Sequence, residues 1–130
     1  MKRILLIDDD EISNFLNKSM IKKSGLFEEV HVLNNAVFAL EFLKELESAS
    51  KPFPDVILLD LMMPVMDGFE FLKELDKMDS RLQKSLKIVM LTSSLDPKDR
   101  ISALNNPKVI GFLSKPINQT KISELLGAKD

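Results

Sequence analysis

Four groups of polar residues follow short apolar runs in this sequence, and their carboxylate, hydroxyl and ammonium groups could form one reactive site. The groups are Asp8-Asp9-Asp10, Asp60, Thr92-Ser93-Ser94 and Ser114-Lys115-Pro116. A buried apolar strand has no need of a carboxylate at its end, yet residues 56–59 are apolar and are followed directly by Asp60. A shared polar site at several strand ends is therefore a working hypothesis.

The residue types in these groups indicate metal-assisted phosphoryl chemistry. Several carboxylates held close together repel one another, which raises at least one pKa, and a hard cation relieves that repulsion. Mg²⁺ prefers a few carboxylates, water and phosphate oxygens, and the groups contain no His or Cys to favour a softer metal. A carboxylate can also attack phosphorus to give an aspartyl-phosphate, while a lysine and a hydroxyl stabilise the transferred group.

Each of these residues also has an ordinary structural role available to it. An aspartate after a strand is most often a cap or a turn former, and Asp10 suits a cap of the first helix. Thr92 can be a turn residue, and Lys115 a solvated loop residue. His31 lies mid-run, away from the acids, and is predicted to pack or to lie at a sheet edge. Polar groups at four of five strand ends favour one shared site over separate coincidences.

The elements that must position these side chains are five apolar runs that alternate with five helical patterns. Strands are predicted at residues 4–7, 29–33, 56–59, 86–91 and 109–113. Strict alternation predicts an α/β fold in which a parallel sheet carries helices on both faces. In such folds ligands bind beyond the carboxyl ends of the strands, which is where the acids, hydroxyls and lysine fall.

The spacing of apolar residues predicts which side of each helix faces the core. In the first helix Ile12, Phe15 and Leu16 recur at helical spacing, and one interpretation of this stripe is that it faces the core. Lys22 suits the last turn of that helix, and Gly25 suits the position just after it. Asn34 or Asn35 can cap the second helix.

Composition bounds the remaining possibilities. The chain has 130 residues, which predicts one domain over residues 1–130 with no output domain. It has no cysteine, so disulfides and thiolate metal sites are excluded. The formal net charge is -2, from 18 basic and 20 acidic residues, so direct nucleic-acid binding is not expected. No apolar run suits a membrane span or a signal peptide, and a cytoplasmic protein is expected.

The four groups together resemble one known family, the response-regulator receiver domains of two-component signalling, as in the chemotaxis regulators of bacteria. The resemblance covers essentially the whole chain. It is carried by Ile7-Asp8-Asp9, by LDLMMPVMDG at residues 59–68, by Leu91-Thr92-Ser93 and by Lys115-Pro116. It implies a flavodoxin-like, doubly wound sheet of five parallel strands in the order 2-1-3-4-5, with five helices.

The resemblance implies a role for each acidic residue. Asp60 matches the acceptor of a phosphoryl group that comes from a histidine kinase or a histidine phosphotransfer protein. Asp8 and Asp9 match the acidic pair that holds Mg²⁺ together with Asp60, and Mn²⁺ is expected to substitute. The backbone carbonyl of Met62 matches the position that completes the protein ligands.

The resemblance also implies switch and lifetime positions. Thr92 matches the hydroxyl that contacts the phosphoryl group, and Lys115 matches the cation beside it, with a cis bond expected between Lys115 and Pro116. Phe112 matches the aromatic residue that turns inward when the threonine moves, and it also fits a simple core residue. Met62 and Ser94 match the positions that tune phosphate lifetime. Because neither is an acid or amide that could orient water, slow decay is the hypothesis.

Other functions remain as alternatives. A receiver-fold binding module that works without phosphate would usually lack an acid, the hydroxyl or the lysine. A phosphohydrolase of the haloacid-dehalogenase type would need an acid at Met62, and a flavodoxin-like cofactor binder would need a phosphate loop where this chain has three acids. The favoured interpretation is a phosphoacceptor that acts through an unknown downstream protein. It is expected to be a monomer or a weak dimer linked to phosphorylation, and to catalyse only its own phosphorylation and dephosphorylation. The resemblance also implies that the kinase meets the first helix, with Ile12, Phe15 and Leu16 near that contact.

Overall fold

A five-stranded parallel sheet forms the centre of the molecule in this computed structural model, which describes residues 3–78, 80–92, 96–115 and 117–126. The strands are β1 (Arg3–Ile7), β2 (Glu29–Leu33), β3 (Val56–Asp60), β4 (Lys87–Thr92) and β5 (Val109–Ser114). They lie in the order β2-β1-β3-β4-β5, and all are parallel. The predicted fold class and strand order are confirmed.

Each strand is followed by an α-helix, as the alternating pattern predicts. They are α1 (Glu11–Ser24), α2 (Ala36–Ser48), α3 (Gly68–Asp76), α4 (Pro97–Leu104) and α5 (Gln119–Leu126). A short 3₁₀ turn at Ser80–Gln83, which the sequence pattern did not predict, lies between α3 and β4. Within the described part of the chain, no helix is long and apolar enough to cross a membrane.

The core consists of two apolar layers, one on each face of the sheet. Leu5, Ile57 and Leu59 point into the layer that α2 and α3 cover, while Leu6 and Leu58 point into the layer beneath α1 and α5. Every residue of β3 is buried, as expected for a central strand of a parallel sheet. The tight packing makes the strand ends rigid supports for the residues that follow them.

The helix ends match several sequence predictions. The side chain of Asp10 accepts hydrogen bonds from the backbone N–H groups of Ile12 and Ser13, so it caps α1 as predicted. Asn35 caps α2. Gly25 follows α1 with a left-handed φ of 70°, a conformation that glycine adopts at little cost.

Of the two interpretations of the apolar stripe on α1, burial in the core is wrong, and contact with a kinase stays a prediction. Ile12 and Phe15 are 73% and 74% exposed and Leu16 is 48% exposed. The buried residues of this helix are instead Asn14, Asn17 and Ile21, which also recur at helical spacing. Spacing alone predicts a face but not its direction, and here the inward face carries two amides, one of which, Asn14, donates a hydrogen bond to the Asp8 carbonyl.

Candidate functional site

The ends of two neighbouring strands bring the predicted acids together. Ile7 at the end of β1 pairs in register with Leu59, so Asp8 and Asp60 follow side by side. Ligand oxygens of Asp8, Asp9 and Asp60 all lie within 4.8 Å of one another. Asp8 and Asp60 are buried, whereas Asp9 is exposed at the rim. The acids thus form one cluster with a solvent-facing side.

Lys115 reaches this cluster from the end of β5. Its Nζ lies 2.7 Å from Asp8 Oδ2 and 3.3 Å from Asp60 Oδ2. Its backbone N–H donates to the carbonyl of Thr92 at 3.0 Å, which ties the β5 end to the β4 end. The ammonium therefore bridges the two buried carboxylates.

The electrostatics of the site leave an excess of negative charge. Burial raises the pKa of Asp60 to about 7, the repulsion from Asp8 adds to this, and the Lys115 ammonium opposes it. For Lys115, burial works against the charged form, but the hydrogen bond to Asp8 and the charge of Asp60 outweigh it and raise its pKa. Three carboxylates face one ammonium. A set of oxygen donors with surplus negative charge fits a hard divalent cation such as Mg²⁺.

The loop after β1 is held by hydrogen bonds that fix Asp8. Asp8 Oδ1 accepts from the backbone N–H of Asp10 at 3.0 Å. The Asp8 carbonyl accepts from Asn14 Nδ2 at 2.7 Å. Hydrogen bonds from the N–H groups of Ser13 and Ile12 lower the pKa of Asp10, as expected of a helix cap. Asn14 was not predicted as a site residue, because the apolar stripe of α1 lies on the opposite face of the helix.

The loop after β3 packs tightly against the backbone of Asp60. A side chain on Gly68 would place its Cβ 2.9 Å from the Asp60 carbonyl oxygen and 3.1 Å from Leu61 Cα. The Gly68 N–H donates to the Leu61 carbonyl at 2.9 Å. The Met62 N–H donates to Asp60 Oδ1 at 3.4 Å. Only glycine lets the start of α3 approach the end of β3 this closely.

The remaining predicted residues lie around this cluster or outside the described chain. Thr92 ends β4 and is buried, one residue beyond Leu91, which pairs in register with Asp60. The side chain of Met62 is 72% exposed. Ser93, Ser94 and Pro116 lie outside the described residues, so the lifetime role of Ser94 and the cis bond at Pro116 stay predictions.

Phe112 lies on β5, away from the acid cluster. It is half-buried at the edge of the core layer beneath α2 and α3. The guanidinium carbon of Arg100 on α4 lies 5.2 Å from its ring centroid, within the range of a cation–π contact. His31, which was predicted to pack or to lie at a sheet edge, is on the edge strand β2, and its Nε2 lies 3.2 Å from Glu29 Oε1.

Comparison with known proteins places this arrangement in a family. The model of the response regulator receiver domain matches residues 4–127. The chain belongs to this family. The two-component response regulator ORR1 of Oryza sativa is 28% identical over 125 residues, which cover 95% of this chain and 53% of that protein. The chain thus spans about half the length of this curated relative.

Solved structures support the same assignment. A two-component response regulator from Cytophaga hutchinsonii matches with a TM-score of 0.88 and 31% identity, covering 98% of this chain and 95% of that chain. The Mn²⁺-bound form of the response regulator Rcp1 matches with a TM-score of 0.80 and 29% identity, covering 100% and 98%. Rcp1 of Synechocystis sp. is 35% identical over 103 residues, covering 78% of this chain and 69% of that protein.

Proposed function

We propose that this receiver domain accepts a phosphoryl group on Asp60 and that the modification changes which proteins it binds. The observation that carries the proposal is the bridge made by Lys115 Nζ, 2.7 Å from Asp8 and 3.3 Å from Asp60. This bridge puts a cation beside a carboxylate oxygen of the buried Asp60, in an acid cluster whose third member, Asp9, is exposed. Such a preorganised charge suits a group that gains phosphate oxygens.

The proposed reaction is a phosphoryl transfer between a histidine and an aspartate. A carboxylate oxygen of Asp60 attacks the phosphorus of a phosphohistidine, so a P–O bond forms while the P–N bond breaks. The electron pair of the P–N bond stays with the imidazole, which leaves as a neutral ring once protonated. Lys115 neutralises charge on the transferred group, and the hydroxyl of Thr92 donates a hydrogen bond to one of its oxygens.

We also propose Mg²⁺ as the cation that supports this step. Asp8, Asp9 and Asp60 would hold it, with the carbonyl of Met62 as a further ligand, and Mn²⁺ would substitute. The bound ion would supply positive charge that neutralises the phosphate oxygens. Exposed Asp9 lies on the side from which a phosphate donor must approach, whereas Asp8 is fixed from beneath.

The donor class and the scope of the activity are part of the same proposal. A histidine kinase or a histidine phosphotransfer protein supplies the phosphoryl group, and residues 1–130 form one receiver unit that acts in the cytoplasm. The unit catalyses only its own phosphorylation and dephosphorylation.

The second candidate, a binding module that works without phosphate, is less well supported because Asp60, Thr92 and Lys115 are all present. The phosphohydrolase lacks its acid, since Met62 occupies that position.

Incubation with acetyl phosphate and Mg²⁺, followed by intact-mass measurement, tests the proposal. The wild type should gain one phosphoryl group, and Asp60→Asn should gain none. Asp67→Asn is the matched control, because Asp67 is an acid in the same loop that caps α3, and asparagine caps equally well. A wild type that gains no mass, or an Asp60→Asn variant that gains as much as the wild type, would show that Asp60 is not the acceptor.

A further inference from the structure

The buried face of α1 carries an amide that the apolar pattern does not explain. Asn14 is 7% exposed, and its Nδ2 donates to the backbone carbonyl of Asp8 at 2.7 Å. Its Oδ1 is buried and has no hydrogen-bond partner among the described residues. A buried acceptor without a partner is unfavourable, so an apolar side chain would suit a purely structural position better.

The hydrogen bond from Asn14 acts on the peptide that joins the two acids of the first loop. The carbonyl of Asp8 and the N–H of Asp9 belong to one planar peptide group. Fixing that carbonyl therefore sets the direction in which the chain continues to Asp9. The side chain of Asp8 is already held from two sides, by the Asp10 N–H at its Oδ1 and by Lys115 at its Oδ2.

Asp9 is the member of the acid cluster with the least support of its own. It is exposed, yet one of its oxygens lies within 4.8 Å of oxygens on Asp8 and Asp60. Like charges at that distance repel one another, and an exposed side chain would otherwise turn toward solvent. The position of its backbone is thus what keeps this carboxylate near the other two.

We infer that Asn14 is a positioning residue, which holds the Asp8–Asp9 peptide so that the two carboxylates converge on one divalent cation. The inference rests on the metal site of the proposed function. Residues that hold metal ligands in place typically change metal affinity by about 10–100-fold when they are replaced. In the described chain the side chain of Asn14 donates its hydrogen bond to Asp8 and makes none to Asp60, so its effect should fall on metal binding rather than on the chemical step.

The chain offers a matched control on the same helix. Asn17 lies one turn further along α1 on the same face, is 1% exposed, and also has a buried amide nitrogen without a partner among the described residues. No hydrogen bond between Asn17 and the β1–α1 loop is recorded in the described chain. Replacing either asparagine removes a buried amide, but only the Asn14 change removes the contact with Asp8.

Titration of the purified proteins with Mn²⁺, followed by electron paramagnetic resonance of the free ion, tests the inference without any turnover. Asn14→Leu and Asn14→Ala should bind Mn²⁺ about 10-fold more weakly than the wild type, whereas Asn17→Leu and Asn17→Ala should match it. Thermal unfolding in EDTA should show that the Asn14 and Asn17 variants all remain folded at the temperature of the titration, so that weaker Mn²⁺ binding does not reflect unfolding. Asn14→Ala is included because alanine fits the site even if the larger leucine does not.

Phosphorylation by acetyl phosphate over a range of Mg²⁺ concentrations gives a second readout. Asn14→Leu should need more Mg²⁺ for half-maximal rate and approach the wild-type rate at saturation. Wild-type Mn²⁺ affinity in both Asn14 variants, or equal weakening in the Asn17 variants, would overturn the inference and leave the proposed function standing. A wild type that binds no Mn²⁺ would overturn both the inference and the proposed metal site.

Discussion

Asp60 is the residue whose ionisation should most affect how the free energy of unfolding varies with pH. Its pKa is raised to about 7, first by burial and then by Asp8, whereas an aspartate in an unfolded chain has a pKa of about 3.9. Between these values the folded protein keeps a proton that the unfolded chain releases. The stabilisation from this proton is complete below the unfolded pKa and is lost as pH rises through about 7.

Asp60→Asn should therefore stabilise the metal-free protein at pH 8, because the asparagine carries no charge to bury. The expected gain is about 1–2 kcal/mol, after allowing for screening by solvent at the open rim of the sheet. It should shrink toward pH 5, where the wild type is protonated. Urea unfolding in EDTA at several pH values measures it, with Asp67→Asn as the control. Parallel stability curves for wild type and Asp60→Asn would contradict the raised pKa.

The residue two positions after Asp60 is expected to govern how long the phosphate lasts. The side chain of Met62 is 72% exposed and has no group that can orient an attacking water. Met62→Asn supplies an amide, and one added hydrogen bond to that water should speed decay by a few-fold to about tenfold. Loss of phosphate from purified protein with Mg²⁺ measures the rate, and Met62→Leu should decay like the wild type. Unchanged or slower decay in Met62→Asn would count against the hypothesis.

At the scale of elements, the approach of α3 to the end of β3 makes Gly68 hard to replace. In Gly68→Ala the new Cβ would meet backbone atoms of Asp60 and Leu61 at 2.9 and 3.1 Å, and neither can move alone. The expected loss of stability is about 2–3 kcal/mol, together with slower phosphorylation because Asp60 is displaced. Urea unfolding and the acetyl phosphate assay measure the two effects.

Gly111→Ala is the matched control for this prediction. Its Cβ would also come within 3.0 Å of a neighbour, but that neighbour is the flexible end of Leu125, which can shift. Gly111→Ala should therefore cost less stability and leave phosphorylation intact. Equal effects of the two substitutions would indicate that the contact with the Asp60 backbone has no special importance.

The helices show where sequence reasoning succeeded and where it failed. Alternating runs predicted every strand, and Asp10 and Asn35 cap helices where they were expected to. Those features depend on local chemistry. The direction of α1 depends on what lies beneath it, and the pattern of Phe15 and its neighbours is the same whether the stripe faces the sheet or solvent. Asn14 could not be found from sequence, because its partner is a backbone carbonyl that only the fold brings close.

At the scale of the whole molecule, the parallel topology explains why the acid cluster could be predicted at all. Every strand of the sheet runs in the same direction, so residues that follow different strands meet at one edge. Asp8, Asp60 and Lys115 are far apart in the chain. Across that edge, however, Lys115 Nζ lies 2.7 Å from Asp8 Oδ2 and 3.3 Å from Asp60 Oδ2. The distances and the raised pKa of Asp60 could not be predicted, since they depend on how deeply each side chain is buried.

The excess negative charge of the acid cluster should make the stability of the folded protein depend on metal binding and on pH. A ligand that binds only the folded state stabilises it by RT ln(1 + [L]/Kd), which is about 2.7 kcal/mol at 100 times Kd. Because the pKa of Asp60 is about 7, the carboxyl must lose a proton before the cation binds at lower pH, which weakens binding there. Mg²⁺ should thus raise the unfolding temperature more at pH 8 than at pH 6.

Differential scanning calorimetry with Mg²⁺ or with EDTA at the two pH values measures this coupling. Asp9→Asn should reduce the response to Mg²⁺ at both pH values, because the site loses a carboxylate. Asp99→Asn, which changes a half-buried acid in the first turn of α4, should respond like the wild type. In Asp60→Asn the difference between pH 8 and pH 6 should disappear along with the titrating group. Equal stabilisation of the wild type at both pH values would mean that Asp60 does not exchange its proton for the cation.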